Sequence, residues 1–138
     1  MNTDDKSKIQ GTKGSEEPYP EQDLTEKILR AAFAVHNTLG AGFLERVYSN
    51  ALAVELRAQG IALQNQLPIR IQYRNTIVGD YIADLVVDGR VLVELNACAS
   101  LDPVHTAQIL NNLRASKIQV GLLLNFGRPK LEYRRFVS

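Results

Sequence analysis

At 138 residues and 15.4 kDa, with 45% apolar residues, the chain suits one domain around one core. Its formal net charge of +1 excludes a chain that is polyacidic or polybasic throughout, and its one cysteine, Cys98, excludes an internal disulfide and gives no basis for a thiolate metal site. No apolar run reaches about 18 residues and no n-region with an h-region opens the chain, so a cytoplasmic protein without a membrane segment is expected.

Residues 1–22 carry Lys6, Lys8 and Lys13 against Asp4, Asp5, Glu16, Glu17 and Glu21 and almost no apolar side chains. Such a stretch buries too little surface to offset the cost of ordering it, which predicts a flexible tail over 1–22 and a single domain over 23–138. Asp23 then offers an N-cap with Glu26 three residues on, and Leu24, Ile28, Ala32, Val35 and Leu39 form a helical stripe ending at Gly40. His36, near the end of that helix, suits the helix dipole. A second helix is expected from about Leu44 to Gln59 with Gly60 as its stop, and its apolar arc takes in Leu44, Val47, Tyr48, Ala51, Leu52, Val54 and Leu56. Glu45 falls inside this arc. A carboxylate there must be paired, bind a cation or stay protonated, although Glu55 falls in the same arc and position alone does not mark chemistry.

Leu67, Ile69, Ile71 and Tyr73 alternate with Pro68, Arg70 and Gln72 in the manner of a strand, with Pro68 at its start or on a sheet edge. Asn75 and its neighbours turn the chain into a hairpin whose strands, Asp80–Val87 and Val91–Ala97, flank Asp88-Gly89. Tyr81, Ala83, Leu85 and Val87 on the first strand and Val91, Val93, Leu95 and Ala97 on the second are expected to share one buried face. Asp84, Glu94 and Asn96 then meet on the opposite face, provided that the loop has an odd number of residues with Gly89 as a left-handed bulge.

Asp102-Pro103 sets N-cap and N1 of a third helix running to about Ser116, with Ala107, Ile109, Leu110 and Leu113 on its apolar arc and His105, Gln108 and Asn112 on another side. Ile118 to Phe126 is a continuous apolar run, expected to be a strand covered on both faces and parallel to the strand before the helix. Gly127-Arg128-Pro129 turns it into a last strand over Leu131–Val137. The predicted fold is α/β, in the order α-α-β-β-β-α-β-β, a mixed sheet flanked by helices. Beyond residue 103, Arg114, Lys117, Arg128, Lys130, Arg134 and Arg135 face Glu132 alone, an excess that fits either phosphates or a solvated rim.

Asp84 and Glu94 on one sheet face, with Glu45 from a helix, suit a hard divalent cation that takes carboxylates, waters and phosphate oxygens. An ion pair with Arg or Lys explains such acids equally well from their spacing. No Gly-x-Gly-x-x-Gly or P-loop pattern occurs, His36 and His105 lie far apart and without cysteines, and no Ser-His-Asp arrangement can be argued.

Gly42-Phe43-Leu44-Glu45-Arg46-Val47-Tyr48 matches a Gly-x-x-Glu-x-x-Tyr signature. With Ala83-Asp84-Leu85, Val93-Glu94-Leu95, Pro103-Val104-His105, Ala107-Gln108 and Gly121 through Gly127, the chain from about Leu39 to Phe136 resembles the GxxExxY family, a branch of the PD-(D/E)XK nuclease-like superfamily. The resemblance implies a metal-dependent nuclease acting on DNA or RNA. It also implies that Asp84, Glu94 and the Leu95 carbonyl ligate Mg²⁺ or Mn²⁺, that Glu45 adds a ligand or holds a metal-bound water, and that Gln108 orients water or phosphate. Tyr48 belongs to the signature without an evident chemical role.

The superfamily's Glu-x-Lys places a lysine two residues after the acid, and this chain has Asn96 there. Asparagine holds a water but brings no charge, and losing one well-placed electrostatic group costs on the order of 10²–10³ in rate. Lys117 is no evident substitute. Two readings follow: a nuclease weakened at Asn96, or a catalytically silent module that binds nucleic acid or protein on the same fold. No base-reading element is identifiable, and a homodimer through an edge strand has no support in the sequence.

Overall fold

The chain's helical and alternating apolar patterns become eight elements in the computed structural model, which describes residues 19–138. They are α1 (Gln22–Leu39), α2 (Glu45–Ala58), β1 (Leu63–Tyr73), β2 (Thr76–Val87), β3 (Val91–Asn96), α3 (Pro103–Ser116), β4 (Val120–Asn125) and β5 (Glu132–Val137), the order expected from the sequence. Most of the expected tail, residues 1–18, lies outside the described residues. Tyr19 to Gln22 pack onto the fold: Arg135 lies over the Tyr19 ring at 4.4 Å, and Glu21 pairs with Arg90 at 2.6 Å. Glu21, with φ 56, takes the cap position expected for Asp23, which lies inside the first turn.

The strands form one mixed sheet in the order β1-β2-β3-β4-β5, antiparallel except for the β3–β4 pair that α3 connects. A parallel pair needs such a crossover, which covers one face of the central strands while α1 and α2 cover the other. On one face α1 and α2 pack over Leu85, Val87, Val91, Val93 and Leu95; on the other Ile109 and Leu113 of α3 pack over Val86, Leu92 and Leu123. Every residue of β4 is buried accordingly. No helix among the described residues is long and apolar enough to cross a membrane.

The β2–β3 turn decides where the acids fall. Val87 pairs with Val91 and Leu85 with Val93, so the loop is Asp88-Gly89-Arg90, three residues long. Asp88 (φ 53) and Gly89 (φ 67) are both left-handed, Arg90 N–H donates to the Val87 carbonyl at 2.9 Å, and Arg90 is the extra residue that keeps Asp84 level with Glu94.

Several packing expectations are corrected. Tyr81 and Ala83 do not join Leu85 and Val87 under α1 and α2; they pack with the α3 cluster. The switch falls at Gln66 of β1, whose φ of 60 interrupts the pleat between the Asn65–Leu85 and Leu67–Ala83 pairs. The α2 arc is narrower than its composition suggests: Leu44 is 81% and Val54 67% exposed, while Tyr48, Leu52 and Leu56 are fully buried. An i, i+4 row fills the gap against α1 and the sheet, and its flanks overhang it. Ala107 is likewise exposed on α3. His36 lies in the last turn of α1 as the dipole reading expects, and packing holds it too, for its buried ring donates from Nε2 to the Arg128 carbonyl at 2.9 Å and lies against Phe126. Cys98 is partly buried with Sγ on the Ser100 carbonyl, and burial pushes its thiol up.

The turns after β3 and β4 are bolted together by Asn125, which is wholly buried. Its Oδ1 accepts from the N–H of Cys98 and of Gly127, both at 3.0 Å, and its Nδ2 donates to the Cys98 carbonyl at 3.0 Å and to Glu132 Oε1 at 3.1 Å. Gly127 lies so close to the neighbouring chain that a Cβ there would stand 2.4 Å from both Cys98 N and O. Gly127→Ala must therefore move backbone, and a loss of about 3 kcal/mol or more in urea-denaturation stability is expected.

Candidate functional site

The β2–β3 ladder stops at Leu85–Val93, and beyond it the two strands part. The next donor on that edge of β3, Leu95 N–H, is taken by Asp84 Oδ2 at 2.8 Å, and the one after it, Ala97 N–H, faces the Glu45 carboxylate. Side-chain oxygens thus stand where β2 carbonyls would have continued the sheet. An extended residue points its N–H and C=O to the same edge, so the Leu95 carbonyl opens onto the same gap. Glu94 lies beside Asp84, and Asn112 of α3 presents its carboxamide to the Glu94 carboxyl.

Glu45 reaches this gap because the turn before α2 is held. Gly40 (φ 71) and Gly42 (φ 120) take backbone conformations closed to most residues. Tyr48, one turn into α2 and fully buried, donates its hydroxyl to the Gly40 carbonyl at 2.5 Å and accepts from Phe43 N–H at 3.1 Å. Its ring stacks on Phe126 with centroids 4.6 Å apart. Gly42, Glu45 and Tyr48 therefore act as one device: the glycine bends the loop, the tyrosine clamps it, and the glutamate opens the helix, where the dipole favours a carboxylate.

An open cleft of about 420 Å³ results, lined by Phe43, Leu44, Glu45, Arg46, Ser49, Gln66, Asp84 and Ala97. Burial, and after it the charge of Asp84, pushes Glu94 up from 4.5 to about 8. Burial raises Asp84 too, opposed by the Leu95 N–H, by Glu94 and by the Arg46 charge, and burial followed by the Asp84 charge raises Glu45. Tyr81 is held far above its ordinary value by burial, then by Glu94 and Asp84. Both Glu94 Oε2 and the Tyr81 hydroxyl are buried without a hydrogen-bond partner.

These atoms fit a hard cation: two adjoining carboxyls, one with an orphaned buried oxygen, and a carbonyl facing the same gap. Among the described residues no set of three His, Cys, Asp or Glu side chains gathers as a metal cage, so protein carboxylates alone do not complete a coordination shell. The other residues singled out from the sequence are dispersed. Gln108 is exposed and lines no part of the cleft. Asn96 is half-buried on the Glu94 side of β3, and its carbonyl accepts from Phe126 N–H at 2.8 Å. His105 caps α3, its Nδ1 accepting from Asp102 N–H at 2.8 Å. The basic C-terminal part does not gather as one patch either: Arg135 donates to Thr25 at 2.9 Å, Arg128 to the Ala99 carbonyl at 3.1 Å, and Arg114 and Lys117 line a separate cleft with Arg70. Sequence reasoning missed Gln66 and Arg46 as wall residues. Nothing in the stretch before Leu67-Pro68 announces the left-handed turn that aims Gln66.

Fold and site together define an α/β protein whose acids gather where the central strands separate. A family model described as the PD-(D/E)XK nuclease superfamily matches residues 22–136, and the chain belongs to that superfamily. Its fold is similar to the crystal structure of SSO0001, with a TM-score of 0.53 and 14% identity over 86% of this chain and 59% of that one. The chain thus spans under two thirds of that protein's length. No curated protein matches the sequence.

Two outcomes are expected. Between about 4.5 and about 8 the folded chain keeps a proton on Glu94 that the unfolded chain has released, so stability falls as pH rises through this window and levels above it. In EDTA the urea midpoint should follow that slope, at most about 1.4 kcal/mol per pH unit for one proton, and Glu94→Gln should flatten it. Tyr48→Phe strands the Gly40 carbonyl and the Phe43 N–H, and a loss of about 1–2 kcal/mol by the same measurement is expected.

Proposed function

We propose that this chain is a metal-dependent phosphodiesterase of the GxxExxY branch, acting on DNA or RNA, with an Glu-x-Lys motif made degenerate by Asn96. The observation that supports it best is the Asp84–Glu94 pair at the parted strands, with Glu94 Oε2 buried and unpartnered. In this reading Asp84, Glu94 and the Leu95 carbonyl hold Mg²⁺ or Mn²⁺. The cation supplies Lewis acidity and offsets the charge that develops on a scissile phosphate. Glu45, fixed across the cleft by the Tyr48 clamp, accepts a hydrogen bond from water and orients it. Asn112 steadies the ionised form of Glu94. Gln108 stands outside this set: it is exposed and is not among the groups that act on Asp84, Glu94 or Glu45.

Asn96 favours a second reading, a binding module without hydrolysis. It can hydrogen-bond a water, but it leaves the developing negative charge without the cation that a lysine would bring. Calorimetry with Mg²⁺ and Mn²⁺ separates the first step: heats are expected with the unmodified chain and none with Asp84→Ala, and equal heats in the two would sink the metal assignment. Cleavage assays on single- and double-stranded substrates then compare the unmodified chain with Asn96→Lys, for which a gain on the order of 10²-fold is expected. If neither cuts while both bind a strand with a steep salt dependence, the binding module is the better description.

A further inference from the structure

Gln66 sits in a strand with a backbone that strands avoid. β1 pairs with β2 on both sides of it, Asn65 opposite Leu85 and Leu67 opposite Ala83, yet Gln66 itself has φ 60. For a residue other than glycine that conformation is strained, and it persists only where its surroundings impose it. The place it occupies is the one across from Asp84. From there its carboxamide faces the Asp84 carboxylate, and its Oε1 accepts from Arg46 Nη2 at 3.5 Å.

Arg46 follows Glu45 at the start of α2 and is exposed on the same wall. Among the described residues no carboxylate lies within ion-pair distance of it, although its charge acts on Asp84. It is the one cationic side chain among the residues that line the cleft. An anionic ligand approaching this cleft meets repulsion from every carboxylate there that is ionised, and a planar guanidinium offers it two parallel donors.

We propose that Arg46, held in place by Gln66, is the phosphate-binding cation of this cleft and does the electrostatic work that Asn96 cannot. The inference rests on the phosphodiesterase reading and names the group that grips its substrate. Arg46 contacts a non-bridging phosphate oxygen; Gln66 is a positioning residue, and the strain at its backbone is offset by its bonds on the cleft wall. Arg46 also opposes cation binding, since its positive charge, which acts on Asp84, repels a metal held there. Its removal therefore moves metal affinity and phosphate affinity in opposite directions, which no loss of structure does.

The test uses the full chain and the variants Arg46→Ala, Arg46→Lys and Gln66→Gly, with Mn²⁺ calorimetry, anisotropy of fluorescein-labelled single- and double-stranded oligonucleotides, and cleavage rates. Arg46→Ala is expected to bind the strand about 10-fold or more weakly and, where the unmodified chain cuts, to cut on the order of 10²–10³ more slowly, with Mn²⁺ bound as tightly or more so. Arg46→Lys should recover part of both. Gln66→Gly relieves the left-handed strain, so it should melt no lower than the unmodified chain while losing strand affinity. Strand affinity and cleavage in Arg46→Ala equal to those of the unmodified chain would overturn the proposal, as would failure of the unmodified chain to bind any strand. Absent Mn²⁺ heats with strand affinity still lost in Arg46→Ala would remove the metal reading and leave the phosphate contact standing.

Discussion

The site depends on an unfinished β-ladder. β2 and β3 pair as far as Leu85–Val93 and then separate, which leaves backbone donors on an inner strand where no solvent or neighbouring strand is assured. Asp84 and Glu45 supply the acceptors. The same two bonds that keep the sheet's interior satisfied therefore fix two carboxylates at its rim, so the acids are structural before they are chemical. A helix or a continuous sheet at this point would leave no gap for them to fill.

That gap survives because both of its borders are pinned. On the helical side, Tyr48 holds the Gly40–Phe43 turn through its hydroxyl and anchors it to the core through its ring on Phe126, the residue after β4. On the strand side, Asn125 holds the segment after β3 by two hydrogen bonds to Cys98 and is itself tied to Gly127 and Glu132, so that Ala97 presents its N–H to Glu45 from a fixed position. Phe126 and Asn125 are adjacent in sequence and face opposite tasks, one packing under α2 and one holding a turn. The end of β4 thus reaches both walls of the cleft.

The element order, the odd β2–β3 loop and the meeting of Asp84 with Glu94 were legible because each follows from a short-range period: alternation along strands, 3.6 along helices, and glycine at a turn. The faces of Tyr81 and Ala83 were not, since one left-handed residue on a different strand re-aims them, and neither β1 nor β2 carries a glycine or proline at that point to signal it. Helix arcs misled in the same way. Leu44 and Val54 have the periodicity of core residues but overhang the ends of the gap that Tyr48, Leu52 and Leu56 fill. Glu45 has the periodicity of an apolar arc, but its position at the first turn of α2 is what carries it to the cleft. Superfamily resemblance supplied the grouping of Glu45 with the strand acids; spacing alone left an ordinary ion pair equally open.

Asparagine at position 96 bears on the acid pair directly. It follows Glu94 by two residues on the same side of β3, so a lysine there would put a positive charge beside a carboxyl that burial and Asp84 push up to about 8. Without that charge, the pair's alternatives near neutral pH are a proton or a divalent ion. The two compete for the same oxygens, and cation binding must displace the proton that burial favours. Arg46 is too far along the wall to replace the lysine in this respect: its charge acts on Asp84 and is not among the causes that shift Glu94. A lysine at position 96 would act on Glu94 directly, whereas the cleft's one cationic lining residue, Arg46, acts on Asp84 and leaves Glu94 without a cation of its own.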